Sequence, residues 1–197
     1  MRLHQAPFTR MLIAANRLNA ADFSSWAFYP GMRFNAGDKW WGDFGRRDFP
    51  HEGLDFCLFL DPSGRVRRLD ANTRIPAMHD GVVRALFADY LGHCVIIEHG
   101  NAPDERQPYL SAYAHTQPLN NIQPGTRVKR GDIIATIAHI PPHSKANIFP
   151  HLHYSIARPA PEMVYEGMVW NDMRNPDKMV LMNPESMMDW PLREINP

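Results

Sequence analysis

Cysteine, net charge and long apolar runs, three features that often define the class of a protein, are scarce or missing in this chain. Only two cysteines, Cys57 and Cys94, occur among its 197 residues, and two are too few for a disulfide framework. One bridge and two buried thiols are both compatible with this pair, and we favour the thiols. Lys plus Arg balances Asp plus Glu at 21 each, so we expect no nucleic-acid partner.

No apolar run approaches the roughly 20 residues that a membrane-spanning helix needs, so we expect no membrane span. Near the amino terminus, Arg2 and Arg10 precede a short apolar run at residues 11–15. That run is short for the core of a signal peptide and lacks a clear cleavage site. A cytoplasmic location, export by another route and a leader missing from this sequence all stay open. The sequence does not indicate an oligomeric state.

The 18 prolines argue for loops and short strands over long helices. From residue 44 onward, short apolar runs alternate with turn clusters, as where Asp61-Pro62-Ser63-Gly64 ends the run at residues 54–60. Residues 109–116 and 133–137 are predicted as further strands. This pattern predicts an all-β sandwich or a barrel-like pair of sheets.

Irregular segments flank the predicted domain on both sides. We divide the chain into an N-terminal extension at residues 1–43, a domain at 44–158 and a C-terminal tail at 159–197. The extension has a loosely helical pattern at residues 8–19 and then many aromatic residues, which we expect to pack onto the domain rather than stack on a ligand. We expect the tail to pack on the domain, with a short helix at residues 184–190.

The most informative stretch is His151-Leu152-His153-Tyr154-Ser155-Ile156, which predicts a β-strand. Alternate residues of a strand face the same side, so His151, His153 and Ser155 share one face, and the residues between them share the other. Two imidazoles about 7 Å apart along the strand then face a groove. One of them can bind a metal ion while the other lies beside it.

A second stretch, His51-Glu52-Gly53-Leu54-Asp55, offers two types of side chain that bind zinc. On a straight strand His51 and Asp55 would lie about 13 Å apart, so the chain has to bend between them, and Gly53 permits a bend. Together with one histidine of the His-x-His pair they make three ligands, which leaves an open position as in catalytic zinc sites. No Cys-rich spacing indicates a closed structural site.

Hydrolysis also requires proton transfer, and the HExxH motif that supplies a glutamate in many zinc proteases is absent. Two histidines can substitute for it, because imidazole titrates near neutral pH. The second histidine of the His-x-His pair is one candidate, and His115 is the other. Alternation along the strand at residues 109–116 predicts that His115 shares a face with Ser111 and Tyr113.

Three motifs, His51-x-x-x-Asp55, Tyr113-Ala114-His115 and His151-Leu152-His153, resemble in this order those of the lysostaphin-type (LytM-like) zinc metallopeptidases. Phe44-Gly45-Arg46 before the first motif and Val128-Lys129-Arg130-Gly131-Asp132 before the last also agree with that family. The resemblance covers roughly residues 44–158. It implies an antiparallel β fold of two sheets with a narrow groove, the duplicated hybrid motif.

The resemblance also implies the roles of the site residues. His51, Asp55 and His153 would be the zinc ligands, and His115 and His151 would be the catalytic histidines beside them. Members of the family cut peptide bonds in bacterial cell-wall peptidoglycan. The resemblance therefore implies zinc as the cofactor, a peptidoglycan peptide as the substrate, and a location in the cell envelope or outside the cell.

The chain departs from the family pattern at points that bear on the substrate. The loop at residues 140–149, which should wall the groove, lacks the Gly-rich Thr/Ser segments that are usual before the last motif. Ser155 stands where the family often has glutamate, which would change a contact behind a ligand. Long polar inserts lie at residues 61–73 and 101–108.

Other functions stay open beside the peptidase. A non-catalytic module that binds cell-wall peptide or a partner amidase would lack ligands or catalytic histidines, and all five are present. A sugar-transport phosphocarrier of the related fold would lack the His-x-x-x-Asp motif. In some members of the family an N-terminal segment blocks the zinc, an alternative for residues 1–43, which contain Asn16, Asn19 and Asn35.

Overall fold

The computed structural model describes residues 8–18, 22–100, 108–141, 148–188 and 192–197. These ranges contain the α-helices α1 (Phe8–Ala15) and α2 (Trp170–Arg174), and short 3-10 helices at Pro30–Met32 and Pro184–Met187. The strands, in chain order, are β1 (Ser25–Phe28), β2 (Leu54–Phe56), β3 (Leu58–Leu60), β4 (Val66–Arg68), β5 (Arg74–Pro76), β6 (Gly81–Ala88), β7 (His93–His99), β8 (Tyr109–Pro118), β9 (Arg127–Val128), β10 (Ile133–Ile137), β11 (Leu152–Pro159), β12 (Met179–Met182) and β13 (Leu192–Glu194).

Within these ranges the strands form two sheets dominated by antiparallel pairs, so the predicted all-β, two-sheet fold is confirmed. The smaller sheet has the order β13-β1-β3-β4, and its β1–β13 pair is parallel. The larger sheet follows the order β12-β11-β8-β7-β6-β9, while β2, β5 and β10 pair off this path. Because β11 pairs with β2, β8 and β12, the predicted His-x-His strand lies inside the larger sheet.

The alternation of β11 sorts its side chains between the core and a polar face. Leu152, Tyr154 and Ile156 are buried in the main apolar core. His153 and Ser155 alternate with them and therefore point to the other side of the sheet. The side chains of β11 therefore alternate between the two faces as the sequence predicts.

The N-terminal segment packs into the same core as β11. Phe8 stacks on Tyr154 with 4.4 Å between ring centroids, and Trp26 and Phe28 meet Phe56 edge to face at 5.2 and 5.5 Å. Such ring pairs contribute about 0.5–1.5 kcal/mol each beyond the burial of their area. These three N-terminal rings pack as expected, while the division of the chain into an extension, a domain and a tail stays a proposal.

The structure changes the interpretation of two segments. Residues 54–60 form two strands rather than one, because β2 pairs with β11 and β3 pairs with β1 and β4, on either side of the buried Cys57. The tail contains a helix and a strand without a signal in the sequence, since α2 is followed by β12, which pairs with β11. The helix expected at residues 184–190 is a 3-10 helix over Pro184–Met187 in the described part.

Two simpler expectations concern the thiols and the membrane. Cys57 and Cys94 are both free and buried, as favoured from the sequence. No helix in the described part of the chain is long and apolar enough to cross a membrane.

His99, at the end of β7, makes the stability of the fold depend on pH. Its Nδ1 lies 3.0 Å from the carbonyl oxygen of Asp80 and its Nε2 2.6 Å from Ser111 Oγ. Burial lowers the pKa of this imidazole to about 4. Since an unfolded histidine has a pKa of about 6.5, the unfolded chain binds the extra proton between pH 6.5 and 4, and stability falls as pH falls through that window.

We therefore expect His99 to remove about 3 kcal/mol from the free energy of unfolding when pH is lowered from 7 to 4. Denaturant unfolding at several pH values measures this loss. The variant His99→Gln, which has no ionisable group, should lose less stability over the same range. Equal pH dependence in the two proteins would contradict the assignment.

Candidate metal centre

The pairing of β2 with β11 brings two of the predicted ligands together. Asp55 of β2 is the direct partner of His153 of β11 in this antiparallel pair. Directly opposite residues project from the same face of a sheet with their Cβ atoms close together. His51 joins them because the chain turns at residues 51–53, before β2 begins at Leu54. All three side chains are buried.

Three potential ligand atoms converge at this point. His51 Nε2 lies 3.1 Å from Asp55 Oδ1 and 3.0 Å from His153 Nδ1, and the last two atoms are 2.8 Å apart. Within the described ranges, no other group of three His, Cys, Asp or Glu side chains comes this close together. Zinc bonds of about 2.0–2.1 Å would set tetrahedral ligands about 3.3 Å apart, so a small outward movement accommodates the ion.

The chemistry of these atoms also fits a cation. Two imidazole lone pairs and a carboxylate oxygen repel one another at such distances unless a positive charge or a proton lies between them. Nitrogen and carboxylate oxygen in a three-ligand set are typical of catalytic zinc. The residues present therefore fit zinc.

Hydrogen bonds on the outer side of each imidazole orient the two histidines. His51 Nδ1–H donates to the carbonyl oxygen of Arg33 at 2.9 Å, and His153 Nε2 lies 2.9 Å from Ser155 Oγ, a hydroxyl that can accept a hydrogen bond from it. The carbonyl fixes the proton of His51 on the outer nitrogen, and a hydroxyl that accepts from His153 leaves its inner nitrogen free to bind a metal as well. Ser155, where the chain departs from the family pattern, therefore still supports a candidate ligand.

Asp55 uses its two oxygens differently. Oδ1 faces the histidines, while Oδ2 accepts a hydrogen bond from Trp40 Nε1–H at 2.6 Å and lies 3.9 Å from Arg47 Nη2. Burial raises the pKa of this carboxyl, but the three adjacent histidines outweigh burial and hold the pKa well below its usual range. The carboxylate is thus ionised, with one oxygen directed to the centre.

Gly53 allows residues 51–53 to approach β11. Its φ is not in the left-handed region, but a Cβ at this position would lie 2.6 Å from Ser155 Oγ and closer still to the carbonyl oxygen of Tyr154. Real Cβ atoms essentially never approach a neighbour so closely. Glycine is therefore required here by the close approach of two chain segments rather than by unusual backbone angles.

His115 reaches the centre through a break in the alternation of β8. Its φ is +61°, in the left-handed region, and the β7–β8 pairing shifts register at this point. Its ring centroid lies 4.8 Å from that of His151 and 5.8 Å from that of His153, whereas Tyr113 is buried in the core on the other face. The expectation that His115 shares a face with Tyr113 is therefore wrong, because the bulge reverses the side-chain direction.

Asp89, just after β6, orients His115. Its Oδ2 accepts the backbone N–H of His115 at 2.6 Å, and its Oδ1 lies 3.1 Å from His115 Nδ1. Burial raises the pKa of the Asp89 carboxyl, but its hydrogen bonds with the backbone and ring of His115 outweigh burial and hold the pKa well below its usual range. An ionised Asp89 accepts the proton on Nδ1 and leaves Nε2 of His115 free.

His151 lies beside the three converging atoms rather than among them. Its Nε2 is 3.8 Å from Asp55 Oδ1, and its Nδ1–H donates to the carbonyl oxygen of Phe149 at 2.8 Å. Burial lowers the pKa of His151 to about 3, so the ring is neutral at pH 7. Of the His-x-His pair, His153 belongs to the converging group and His151 flanks it. The roles of the two histidines stay predictions.

Two segments expected near the groove are described only in part. In the loop at residues 140–149, residues 142–147 lie outside the described ranges, and the ring of Phe149 lies 5.6 Å from that of Trp40. Of the N-terminal asparagines, Asn16 is hydrogen-bonded to the backbone N–H and carbonyl of Arg74 at 2.7 and 2.8 Å. Asn19 lies outside the described residues.

The sequence around this centre matches a known protein family. Residues 61–164, just over half of the chain, match the model of peptidase family M23. The chain belongs to peptidase family M23. The matched region contains His115, His151 and His153, and it begins after His51 and Asp55. The LytM-like resemblance is thereby confirmed at the level of the family.

Three solved structures are similar to this M23 family member. A candidate M23 peptidase from Pseudomonas aeruginosa is 22% identical over 74% of this chain and 53% of its own, with a TM-score of 0.39. Lysostaphin is 16% identical over 85% and 54%, with a TM-score of 0.46. A variant of the catalytic domain of the prophage-encoded M23 protein EnpA from Enterococcus faecalis is 21% identical over 73% and 95%, with a TM-score of 0.42. The chain thus spans about half the length of the first two.

Several residues that orient the M23 site have no motif in the sequence. Trp40 stands in the aromatic-rich segment, where no spacing links it to Asp55. Asp89 precedes Tyr90-Leu91-Gly92, which signals a turn but not a contact with His115. Glu52, buried beside the candidate ligands, accepts hydrogen bonds from Trp170 and Arg174 in the tail.

We expect Trp40→Phe to weaken zinc binding by about 10–100-fold, because it removes the N–H that holds Asp55 Oδ2 and keeps an aromatic ring in place. Competition with a chelator of known affinity measures the Kd for zinc. Trp26→Phe is the matched control, since its indole N–H has no hydrogen-bond partner among the described residues. An unchanged Kd in a folded Trp40→Phe protein would argue against this role for Trp40.

Proposed function

We propose that this M23 family member is a zinc-dependent endopeptidase that hydrolyses peptide bonds of bacterial peptidoglycan. His51, Asp55 and His153 would bind the zinc, and His115 and His151 would transfer protons. The observation that supports this most is the convergence of three ligand atoms within 3.1 Å, beside two further histidines whose rings lie 4.8 Å apart between centroids.

The charges of the site favour a divalent cation. Asp55 is ionised, and the contacts with the Arg33 carbonyl and with Ser155 Oγ leave the inner nitrogens of His51 and His153 facing the centre. One negative charge and two lone pairs in a buried site attract a cation strongly. When bound, zinc supplies Lewis-acid polarisation of a carbonyl and lowers the pKa of water.

His115 and His151 are arranged to transfer protons next to that position. Asp89 holds Nδ1–H of His115, and the carbonyl oxygen of Phe149 holds Nδ1–H of His151. Each ring therefore offers Nε2 as a base. A neutral imidazole can take the proton of the attacking water and, as imidazolium, donate it to the leaving amine, which balances the protons of the reaction.

The substrate and the location follow from the family, since M23 peptidases act on peptidoglycan peptides. We infer that this chain acts in the cell envelope or outside the cell. The loop at residues 140–149 and the inserts at residues 61–73 and 101–108 depart from the family pattern and bear on which peptide is bound. The alternative is a zinc-binding module without catalysis, and hydrolysis of peptidoglycan by the wild-type protein distinguishes the two.

Substitutions of the ligands and of the proton-transfer residues should have different effects when zinc content and hydrolysis are both measured. His153→Ala should lose zinc and hydrolysis, because a three-ligand site cannot spare a ligand. His115→Ala and His151→Ala should keep zinc and slow hydrolysis by about 10²–10⁴-fold, the usual contribution of a general acid–base. Zinc is measured by elemental analysis, and hydrolysis by the release of new amino termini from purified peptidoglycan.

Three outcomes would contradict parts of this proposal. Zinc retained by His153→Ala but lost by His151→Ala would reverse the assignment of the pair. Full hydrolysis by His115→Ala would remove that residue from the mechanism. A wild-type protein that binds zinc but releases no termini from peptidoglycans of different cross-link chemistry would support the binding module instead.

A further inference from the structure

The C-terminal tail touches the candidate zinc ligands through α2. Glu52 follows the ligand His51 directly, and its side chain is only 5% exposed. Trp170 Nε1–H donates to Glu52 Oε1 at 3.1 Å, and Arg174 Nε–H donates to the same oxygen. A buried carboxylate beside a cationic site is thus paired with two donors from one turn of helix.

The same helix also contacts the ligand on the other strand. The ring of Trp170 meets the ring of His153 edge to face, with 5.1 Å between centroids. Trp170 therefore touches His153 of β11 and, through Glu52, the segment that carries His51. These two ligands come from different parts of the chain, and Trp170 links them on the outer side of the centre.

We propose that Trp170 and Glu52 are positioning residues for the zinc ligands, so that docking of α2 and binding of zinc are coupled. This inference rests on the proposed zinc site. Arg174 forms an ion pair with the buried Glu52 carboxylate and offsets the free-energy cost of burying it. Without this pair the carboxylate would turn toward water and displace residues 51–53. Trp170 in turn limits the movement of the His153 ring, whose Nε2 is hydrogen-bonded to Ser155 Oγ on the outer side.

Coupling of this kind is reciprocal. If docked α2 strengthens zinc binding, bound zinc must stabilise docked α2 by the same factor. Amide hydrogen exchange at residues 170–174 should therefore slow when zinc is added to the wild-type protein. Exchange at α1, which packs on the opposite side of the sheet with Tyr154, provides an internal comparison.

The test is the Kd for zinc in substituted full-length proteins. Trp170→Ala removes both contacts, Trp170→Phe keeps the ring but loses the N–H, and Glu52→Gln removes the charge. We expect Trp170→Ala to weaken zinc binding by about 10–100-fold, as is typical for contacts behind a ligand, and the other two to weaken it less. Tyr165→Phe is the control, since it removes another contact of the tail, the 2.8 Å bond to Glu98, away from the ligands.

A second measurement separates positioning from simple stabilisation. A residue that only stabilises the fold lowers Tm equally with and without zinc. A positioning residue also reduces the rise in Tm that zinc produces, because that rise depends on Kd at a fixed zinc concentration. We expect the zinc-dependent rise to shrink in Trp170→Ala and to stay unchanged in Tyr165→Phe.

The outcomes distinguish this inference from the proposed zinc site. If the wild-type protein binds no zinc, the zinc site and this inference are both wrong. If the wild-type protein binds zinc and Trp170→Ala binds it equally well, only the inference is wrong. Should Trp170→Ala fail to fold, unchanged Kd values in both Trp170→Phe and Glu52→Gln would overturn it.

Discussion

The register between β2 and β11 is the constraint on which the candidate site depends. It sets Asp55 opposite His153, on the face of the sheet that turns away from the main core. A slip of β2 by one residue would turn Asp55 into the core, because side chains alternate along a strand. Gly53 holds this register from one side, where only glycine fits against the backbone of Tyr154. From the other side, Tyr154 is packed between Phe8 and Tyr113.

Around this pair, orientation comes from distant parts of the chain. Arg33 and Trp40, both before the matched M23 region, hold His51 and Asp55. Asp89 within that region holds His115, and Trp170 after it contacts His153. A candidate site with Asp55 and His153 on two paired strands is therefore completed by side chains from before and after the matched part of the chain.

The parts of the site that the sequence could predict follow from local rules. The spacing of His51 and Asp55 with Gly53 between them indicates a bend. Alternation along the strand places His153 and Tyr154 on opposite faces. The face of His115 could not be predicted, because a bulge and a left-handed φ reverse the alternation. Such a bulge depends on the neighbouring strand and on Asp89, which are remote in sequence.

Long-range pairing also explains which features of the fold could not be predicted from the sequence. The apolar run at residues 54–60 is continuous in composition, but its two halves pair with strands of different sheets. The strand β12 lacks a clear pattern of its own and exists as a partner of β11. Periodicity reports which face of a strand is buried, while the partner of that strand is decided by tertiary contacts.

The central claim is that the side chains of His51, Asp55 and His153 form one zinc site. Anomalous diffraction from crystals of the protein grown with zinc, collected on both sides of the zinc absorption edge, tests this most directly. We predict one strong peak about 2.0–2.2 Å from His51 Nε2, Asp55 Oδ1 and His153 Nδ1. A fully ordered centre without a peak, or a peak bound by other side chains, would contradict the account.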